Sequence, residues 1–301
     1  MKKIVGVGAC VLDTVISCRT YPKEDSKYRA DSAFRTGGGP VANALAAAAR
    51  LGAEAEYLGA LPADADGRFL RDDFVRCGVR CDRVRAVRGV RAFTSYIVLA
   101  ADTGSRTCVF ERGTVPDDPR HVDLAAVAGA DALHLDGNAL RSALAAAAFA
   151  KAHGVLVSLD AGGLYEGIEE LLPYADVLIP SEEFALRFTG APDAGTAVKI
   201  LYEKYRPAAL AVTQGARGGL FCDGGRPGRW DGFAVDCVDS NGAGDVFHGA
   251  FLSRWLEGRP IGECCRFAAA AASIKCTAAG VRNALPDAAE VTDFLKNRGG
   301  N

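Results

Sequence analysis

The 301-residue sequence lacks the charge and the long apolar segments that would direct it to nucleic acid or to a membrane. Its formal net charge is −2, so no strong positive field attracts a polyanion or an anionic bilayer. The alanine-rich runs at 41–49 and 143–150 are too short to cross a bilayer. The apolar stretch behind Lys2 and Lys3 is interrupted by Asp13 and has no convincing signal-cleavage site. We therefore expect a cytoplasmic protein with neither nucleic-acid nor membrane partners.

The ten cysteines lack the spacing of a metal site or of a disulfide framework. No Cys-x-x-Cys pair occurs, and the four histidines, at 121, 134, 153 and 248, are not spaced to complete a zinc site with any cysteine. Disulfide frameworks belong to small secreted chains, and this chain is not small. The sequence therefore predicts reduced, mostly buried thiols that behave as small apolar side chains.

The common phosphate-binding loops are also missing. There is no Gly-x-x-x-x-Gly-Lys-Ser/Thr segment, and the His-Arg-Asp and Asp-Phe-Gly signatures of protein kinases do not occur. Gly6-x-Gly8 follows a predicted strand, but Val11 stands at the third glycine position of the dinucleotide fingerprint. Asp13, close behind it, fits a substrate-binding carboxylate better than a ribose-binding one. Any nucleotide must therefore bind through another segment.

Apolar strand-like runs alternate with helix-like runs along most of the chain. This alternation predicts an α/β fold in which helices cover both faces of a mainly parallel sheet. Two β-rich segments, 14–37 and 84–113, break the alternation, and we expect them to form a small β-sheet lid on a single domain of residues 1–301. Asp102-Thr103-Gly104-Ser105 indicates a hairpin turn within the second segment. The predicted strands are 4–9, 55–61, 132–135, 155–160, 177–179 and 210–213, and the predicted helices are 41–51, 67–77, 138–153, 181–190, 195–205, 243–257, 261–277 and 287–296.

Gly242-Ala243-Gly244-Asp245 directly precedes a helical run and is the leading candidate for an anion site. Glycines before a helix allow the backbone N–H groups to point outward together, and the helix dipole favours an anion there. In one interpretation, Asp245 only stabilises the start of the helix. In the other, the amides of Gly242, Ala243 and Gly244 bind a transferred phosphoryl group and Asp245 takes the proton of the acceptor hydroxyl. His248, one turn on, either packs between helices or approaches the phosphates.

A second glycine cluster, Gly37-Gly38-Gly39-Pro40, leads into the alanine-rich helix that carries Asn43. Proline is well suited to the first turn of a helix. The glycines provide a tight turn, and they also allow the backbone to approach a polyol closely, with Asn43 as a hydrogen-bonding partner. Both interpretations are compatible with the sequence.

Four blocks of sequence, in this order, resemble the ribokinase/PfkB family of carbohydrate kinases and together span nearly the whole chain. One block alone is moderately specific, whereas four in register are strong. The first runs from the glycine cluster to Ala53, the second from Gly59 to Val79, the third from Thr213 to Gly219 and the fourth from Asp239 to Asp245.

The resemblance implies a three-layer α/β/α sandwich with a mainly parallel sheet and a β-sheet lid. It implies transfer of the γ-phosphate of ATP to a hydroxyl of a sugar or sugar derivative, with Mg²⁺ as cofactor and K⁺ as a further candidate ion. By position, Asp245 is the general base and the amides of Gly242, Ala243 and Gly244 form the anion hole. The other implied residues are Asp13, Gly38, Gly39 and Asn43 for the acceptor, Thr213, Gly215 and Gly218 for the nucleotide, and Asp239 for a monovalent-cation loop with backbone from around Gly280.

The chain departs from the family pattern at Ser181-Glu182-Glu183-Phe184, where most members carry Asn-x-x-Glu for magnesium and phosphate. We assign Ser181 and Glu183 to the nucleotide, with Glu182 as the alternative to Glu183.

The segments Ser26-Lys27-Tyr28, 37–40, 245–250 and 274–277 resemble sulfofructose kinases within the family. We therefore expect a ketose-like or sulfosugar-like acceptor. Lys27 and Arg112 either hold an anionic substituent or face solvent, and Asn138 stands where that subgroup has an anion-binding arginine.

Two other functions remain open at this stage. A nucleoside kinase of the same fold would use aromatic residues of the lid segments for stacking, and Tyr28, Phe34 and Tyr96 are available. A non-catalytic sugar- or nucleotide-binding regulator is the other alternative, supported only by the altered segment at Ser181. A projecting sheet with exposed edges also predicts a homodimer formed through the lid.

Overall fold

Across residues 1–103 and 105–298, which the computed structural model describes, the chain forms fifteen strands and nine α-helices. The strands are β1 (Lys3–Val7), β2 (Val11–Cys18), β3 (Ser32–Gly38), β4 (Glu54–Tyr57), β5 (Ala60–Pro62), β6 (Val79–Arg80), β7 (Arg85–Val87), β8 (Phe93–Ala100), β9 (Ser105–Glu111), β10 (Ala132–Leu135), β11 (Leu156–Ala161), β12 (Val177–Pro180), β13 (Ala209–Thr213), β14 (Gly219–Asp223) and β15 (Arg226–Trp230). The helices are α1 (Pro40–Arg50), α2 (Ala65–Arg76), α3 (Leu124–Ala128), α4 (Leu140–Ala152), α5 (Glu182–Thr189), α6 (Ala194–Tyr205), α7 (Ala243–Leu256), α8 (Ile261–Cys276) and α9 (Ala288–Arg298).

The main sheet has nine strands in the order β15-β14-β13-β12-β11-β10-β1-β4-β6. All neighbours from β6 to β13 are parallel, and β14 and β15 add an antiparallel hairpin at one edge. Strands β10 and β12 are short apolar runs that are buried along their whole length, because helices cover both faces of the sheet. One apolar cluster contains residues of α4 and α6, and a second contains residues of α7 and α8. The expected α/β/α architecture is confirmed.

A separate four-stranded sheet has the order β3-β2-β8-β9. Its central pair, β2 and β8, is parallel, and the two outer pairs are antiparallel. The predicted β-rich segments account for most of it, with two differences. The sheet begins at Val11 rather than at residue 14, and Arg85–Val87 pairs with Ala60–Pro62 in a small two-stranded sheet instead. Strands β8 and β9 pair as the hairpin prediction requires, although Gly104 itself lies outside the described residues.

Helices α1 and α7 pack closely because small residues line their contact. A Cβ added at Gly249 would collide with the carbonyl oxygen of Ala44. Helix α1 starts at Pro40, directly after Gly39, whose positive φ of 97° favours glycine. The close approach of the two helices brings Asn43, in the first turn of α1, next to the first turn of α7.

The predicted strand at 55–61 is wrong, because it is two strands separated at Leu58 and Gly59. Gly59 has φ of 147°, a conformation that L side chains rarely adopt, and the chain changes partner there from the main sheet to β7. The other predicted strands and helices are confirmed, with ends that differ by a few residues. The predictions missed α3, β6 and the β14–β15 hairpin, all of which are short.

The ten cysteines all lie within the described residues and are free thiols, as predicted, although Cys108 and Cys237 are exposed. Among the described residues there is no cluster of three or more His, Cys, Asp or Glu side chains arranged for a metal ion. Nor does any helix of residues 1–103 and 105–298 combine the length and apolar character that a membrane crossing requires.

Candidate active site

A cleft of about 460 Å³ separates the four-stranded sheet from the carboxyl ends of the main-sheet strands. The carboxyl edge is the usual ligand-binding edge of an open parallel sheet. The main sheet contributes side chains at or just after the ends of β10, β11, β12 and β13, and α7 contributes its first turn. The lining includes Asp13, Ser95 and Cys108 from the four-stranded sheet, Asp136, Asp160, Ser181 and Thr213 from the strand ends, and Gly242–Asp245 from α7.

Asp245 lies in the first turn of α7 and accepts a hydrogen bond from Nδ2 of Asn43 at 2.8 Å on its Oδ2 atom. Burial raises the pKa of the Asp245 carboxyl above its ordinary value, and the negative charge of Asp160 adds to the effect. The Asn43 hydrogen bond and the positive charge of Lys275 act in the opposite direction. A carboxyl group with a raised pKa at a cleft is the environment of a general base.

The loop before Asp245 is shaped for an anion. Gly242 has a φ of 69°, and a Cβ there would lie 2.6 Å from a methyl group of Val281. At Gly244 a Cβ would meet nothing within 4 Å, so this side of the turn is open. The first N–H groups of a helix have no partner inside the helix and can bind an anion. The structure therefore brings the four residues of the predicted catalytic segment together at one side of the cleft.

A buried arginine, Arg282, fixes the orientation of the Asn43 side chain. This residue was not identified as part of the site from the sequence. Arg282, which is 6% exposed, donates from Nε to Oδ1 of Asn43 at 3.1 Å and from Nη2 to the carbonyl oxygen of Gly38 at 3.2 Å. Its Nη1 pairs with the buried Asp73, and its guanidinium lies 4.9 Å from the centroid of the Phe74 ring. Because Oδ1 of Asn43 accepts from Arg282, its Nδ2 is directed at Asp245. A lone arginine after Val281 carries no sequence signal for this role.

Asp13, on β2, lies directly against the glycine cluster at the end of β3, because the two strands are neighbours. Its Oδ1 accepts a hydrogen bond from Ser95 at 2.6 Å, and a Cβ at Gly38 would collide with its carboxyl group. A Cβ at Gly39 would likewise collide with the backbone of Ala9, so both glycines are required for close approach. Burial raises the pKa of Asp13 to about 6, against the Ser95 hydrogen bond and the charge of Arg282, which lower it. The predicted acceptor residues Asp13, Gly38, Gly39 and Asn43 therefore lie together.

Two further carboxylates at the strand ends were not predicted. Asp136 accepts hydrogen bonds from the backbone N–H groups of Ala9 and Asn138, each at 2.9 Å, and burial raises its pKa to about 6. Asp160 lies 3.2 Å from Nε2 of His248. Although burial opposes it, the nearby His248 lowers the pKa of Asp160. Both residues could have been found in the sequence, because Asp136 directly follows an apolar strand and Asp160 lies near the end of one.

His248 is buried against the sheet, where its Nε2 contacts the cleft carboxylate of Asp160. Its ring centroid lies 5.5 Å from that of His134, whose Nδ1 is 3.2 Å from Ser158 Oγ. Burial, together with the charge of His248, lowers the pKa of His134 to about 3, so His134 is neutral at neutral pH.

On the β12–β13 side of the cleft, Ser181 and Thr213 line the cavity, but Glu183 does not. Ser181 caps α5, accepting from the N–H of Phe184 at 3.1 Å and donating to the carbonyl oxygen of Gly162 at 3.2 Å. Glu183 points to solvent, 77% exposed, and pairs with Arg187 one turn along α5 at 3.1 Å. Its assignment to the site is therefore corrected, because its position on the helix directs it away from the cleft.

Glu182 takes a different position from Glu183. It accepts a hydrogen bond from Nε2 of Gln214 at 2.6 Å and pairs with Arg217, both in the loop after β13. Gly215 and Gly218, at φ of 59° and 90°, shape that loop without lining the cleft. Glu182 thus ties the predicted nucleotide loop to the start of α5.

The residues expected to hold an anionic substituent are only partly brought together. Lys27 is exposed in the irregular segment between β2 and β3 and lines neither cavity, because no strand places it over the cleft. Arg112 lines a neighbouring cavity of about 260 Å³, which meets the cleft at Ala9, Phe93 and Asn138. The Arg112 guanidinium also lies 5.7 Å from the ring centroid of Tyr165.

Asp239, predicted for a cation loop, is 2% exposed and does not line the cleft. Its Oδ1 accepts from the N–H of Asn241 and its Oδ2 from the N–H of Gly280, both at 2.9 Å. Asp239 therefore links the catalytic segment to the backbone at Gly280 by direct hydrogen bonds.

Comparison with known proteins finds one family over nearly the whole chain. The pattern that describes pfkB family carbohydrate kinases matches residues 1–288 of the chain. A ribokinase of Arabidopsis thaliana is 33% identical over 310 aligned residues, which cover 97% of this chain and 81% of that protein.

Two solved structures have the same fold. Arabidopsis thaliana ribokinase complexed with ribose and ATP has a TM-score of 0.83 at 29% identity, with 98% of each chain covered. A structure from E. coli in complex with ATP and Mg²⁺ has a TM-score of 0.86, with 99% of this chain and 100% of that chain covered. At 18% identity, the second likeness shows the fold alone.

Proposed function

Because the chain belongs to the pfkB family of carbohydrate kinases, we propose that it phosphorylates a sugar or sugar derivative with Asp245 as the general base. The family consists of phosphotransferases that act on alcohol groups, so the donor is ATP and the acceptor is a hydroxyl. The observation that supports Asp245 most directly is its hydrogen bond to Asn43 at the open end of α7, in a cleft of about 460 Å³, which is within the usual size of a ligand pocket.

Proton transfer is assigned to one oxygen of Asp245. Oδ2 accepts from Asn43, so Oδ1 is the atom that takes the proton of the acceptor hydroxyl. Asn43 itself is oriented by Arg282, which prevents the amide from turning its oxygen towards Asp245. The raised pKa of Asp245 makes its carboxylate a better proton acceptor than an ordinary surface carboxylate.

The amides of Gly242, Ala243 and Gly244 stabilise the charge on the transferred phosphoryl group. The four-stranded sheet covers the cleft with Ser95, Ile97 and Cys108, and in this proposal it excludes water that would hydrolyse ATP.

ATP is expected to bring Mg²⁺ with it. The described residues hold no dedicated metal cluster, and Mg²⁺ usually binds through one or two carboxylates together with substrate phosphates and water. Asp160 and Ser181 line the cleft, so they are the residues that would hold the ion together with the phosphates and water. The ion, when bound, neutralises charge on the phosphates. We assign Thr213 and the loop shaped by Gly215 and Gly218 to the nucleotide, with Glu182 rather than Glu183 as the supporting carboxylate.

For the acceptor, we favour a ketose-like or sulfosugar-like molecule. Asp13 and Asn43 provide hydrogen-bonding partners for hydroxyl groups, next to glycines that permit close approach. The neighbouring cavity, with Arg112 near its mouth and Asn138 at its junction, would take an anionic substituent.

A nucleoside acceptor is supported by another observation. Phe93 and Phe110 line the cleft with ring centroids 5.8 Å apart, and aromatic rings favour base stacking. The aromatic residues first considered for stacking do not contribute, since Tyr28 and Tyr96 are exposed and neither they nor Phe34 line the cleft. The non-catalytic alternative loses its support, because the family is one of enzymes and the Asp245 site is assembled.

We also propose a homodimer through the four-stranded sheet. The face turned away from the cleft exposes Tyr96 and Val109, which are directly opposite each other on β8 and β9, at 52% and 64%. An apolar sheet face of this kind is typical of a contact surface. Light scattering of the purified protein would test it, and a monomer at micromolar concentration would contradict it.

The function is tested by a coupled assay of ADP formation with ATP, Mg²⁺ and single acceptors. The panel contains ketoses, aldoses, sugar acids, sulfosugars and nucleosides, and Asp245→Asn is the matched control. We expect acceptor-dependent ADP formation with a sugar or sulfosugar and phosphate transfer detectable by mass spectrometry. Preference for adenosine, inosine or cytidine would favour the nucleoside alternative. No acceptor-dependent turnover across the panel would contradict the proposal.

A further inference from the structure

Lys275 is a completely buried lysine that lies beside the catalytic segment. It is 0% exposed and is the next-to-last residue of α8. Its Nζ donates to the main-chain oxygen of Asp239 at 2.6 Å and lies 3.6 Å from Oδ2 of the same residue. A buried ammonium group is unfavourable unless its charge is compensated, and here one residue supplies both oxygens.

The surroundings of this ammonium group are those of a small monovalent cation. Carbonyl and carboxylate oxygens are the ligands of such ions in proteins. The family resemblance implied K⁺ at Asp239, and the geometry allows that expectation to be examined. Oδ1 of Asp239 accepts from Asn241, Oδ2 accepts from Gly280 and faces Lys275, and the main-chain oxygen accepts from Lys275. The ammonium group of Lys275 faces both the main-chain oxygen and Oδ2 of Asp239, at 2.6 and 3.6 Å, so it occupies the place that K⁺ would need to bind these oxygens.

We propose that the ammonium group of Lys275 is a built-in replacement for a bound monovalent cation, so that the kinase works without K⁺. This inference rests on the proposed function of Asp245, to which the loop leads. Lys275 is a positioning residue, because it acts on the loop at 239–242 and not on a substrate.

Lys275 can influence the active site in two ways, through the loop that it holds and through its charge. The chain runs from Asp239 through Gly242 directly into α7, and Gly242 packs against Val281, just after the Gly280 amide that Asp239 binds. Lys275 also contributes positive charge that lowers the pKa of Asp245, against the effect of burial. A cation at this point thus fixes the anion-binding turn and favours the ionised base, which are the two effects expected of a bound metal ion.

The first test uses the unchanged protein. Thermal unfolding and acceptor-dependent ADP formation are measured in KCl, NaCl and tetramethylammonium chloride at equal ionic strength. We expect the same Tm in all three salts and turnover within about twofold, because a ligand that does not bind cannot stabilise the folded state. A Tm that rises selectively in KCl, or turnover that requires K⁺, would overturn the inference. The Tm comparison needs no substrate, so it can fail or succeed independently of the proposed kinase function.

The second test replaces the charge. Lys275→Ala leaves space for a small cation, and Lys199→Ala, at an exposed lysine 4.0 Å from Glu203, is the matched control. We expect turnover of Lys275→Ala to fall by about tenfold or more in tetramethylammonium chloride, the scale of losing a charge that orders an active site. KCl or ethylammonium chloride should restore activity and raise its Tm, whereas the control should not respond.

Each other outcome decides against the proposal. Full activity of Lys275→Ala in all salts would show that the charge is not needed. Lost activity that neither K⁺ nor ethylammonium restores would show a packing role alone. If the variant does not fold, the salt comparison on the unchanged protein remains decisive.

Discussion

The two sides of the cleft are built differently. The proposed acceptor side (Asp13, Gly38, Asn43 and Arg282) is almost completely buried and joined by hydrogen bonds that link residues far apart in sequence. The proposed donor side (Ser181, Glu182, Thr213 and Arg217) is partly or fully exposed, and its ion pair Glu182–Arg217 and neighbouring pair Glu183–Arg187 are open to solvent.

This difference indicates where rigidity is needed. A base must meet one hydroxyl in one orientation, so misplacement is expensive, and buried hydrogen-bonded groups hold their geometry. A nucleotide brings its own charges and ions, so a more open surface is sufficient to bind it. We therefore expect substitutions on the acceptor side to affect stability and turnover strongly, and substitutions on the donor side to have small effects on the free protein.

Asp245→Asn should have the largest effect on turnover. The variant keeps the shape of the side chain but removes the proton acceptor, so kcat should fall by roughly 10²–10⁴, the usual effect of losing a general base. The free energy of unfolding should not decrease, because a buried carboxylate with a raised pKa is replaced by a neutral group. Steady-state kinetics and chemical denaturation measure the two quantities. Turnover close to that of the unchanged protein would remove Asp245 from the mechanism.

Arg282→Met should have the largest effect on stability. It removes one of the two arginine partners of the buried Asp73, the other being Arg76, so the destabilisation should approach the value of about 3–5 kcal/mol that is typical of breaking a buried ion pair. It also frees Asn43, so kcat should fall and the acid limb of the kcat profile should move to higher pH, since the Asn43 hydrogen bond lowers the pKa of Asp245.

Arg187→Met is the matched control for Arg282→Met on the donor side. Its ion pair is exposed and should contribute at most about 0.5 kcal/mol. Urea unfolding of both variants measures the two losses of unfolding free energy. Equal losses would contradict the claim that the two sides of the cleft differ in rigidity.

Asp13→Asn should stabilise the folded protein but weaken its binding of the acceptor. The pKa of Asp13 is about 6 in the folded protein against an ordinary 3.8, so the folded state binds the extra proton and stability falls as pH rises between these values. At pH 7.5, above both values, the full penalty is present, and removing the carboxyl should raise the free energy of unfolding by about 3 kcal/mol.

At pH 3.5 the same Asp13→Asn substitution should make little difference, because the carboxyl is protonated in the folded state and mostly protonated in the unfolded state. Denaturation at the two pH values measures this, and a loss of stability at pH 7.5 would contradict the burial argument. The KM for the acceptor should rise, since Asp13 faces the acceptor glycines.

Glu183→Gln should have the smallest effect. It removes an exposed pair with Arg187, so stability should change by less than about 0.5 kcal/mol and the KM for ATP should stay the same. Glu182→Gln, which detaches the loop after β13, is the contrasting variant and should raise the KM for ATP. Kinetics at varied ATP concentration measure both, and a strong effect of Glu183→Gln would return this residue to the site.

Much of the fold was predictable because its signals are local. Apolar runs as short as Ala132–Leu135 become buried parallel strands, and the α7 and α8 boundaries follow from glycine, proline and helical periodicity. Short elements such as the β14–β15 hairpin were missed because they are brief and paired at the edge of the sheet. The break at Gly59 was missed because a strand that changes partners gives no change in apolar pattern.

By itself, the sequence determined the α/β architecture, the family and the segment that carries Asp245, since each depends on residues close together in the chain. Only the tertiary structure decided which long-range partners complete the site. Arg282 and Asn43 are 239 positions apart in the sequence, and Lys275 and Asp239 are 36 positions apart. Such contacts exist because the close packing of α1, α7 and α8 buries charges that must then find partners. The local apolar pattern of a sequence indicates which segments are buried. It does not indicate which charged residues, distant in sequence, will pair in the folded protein.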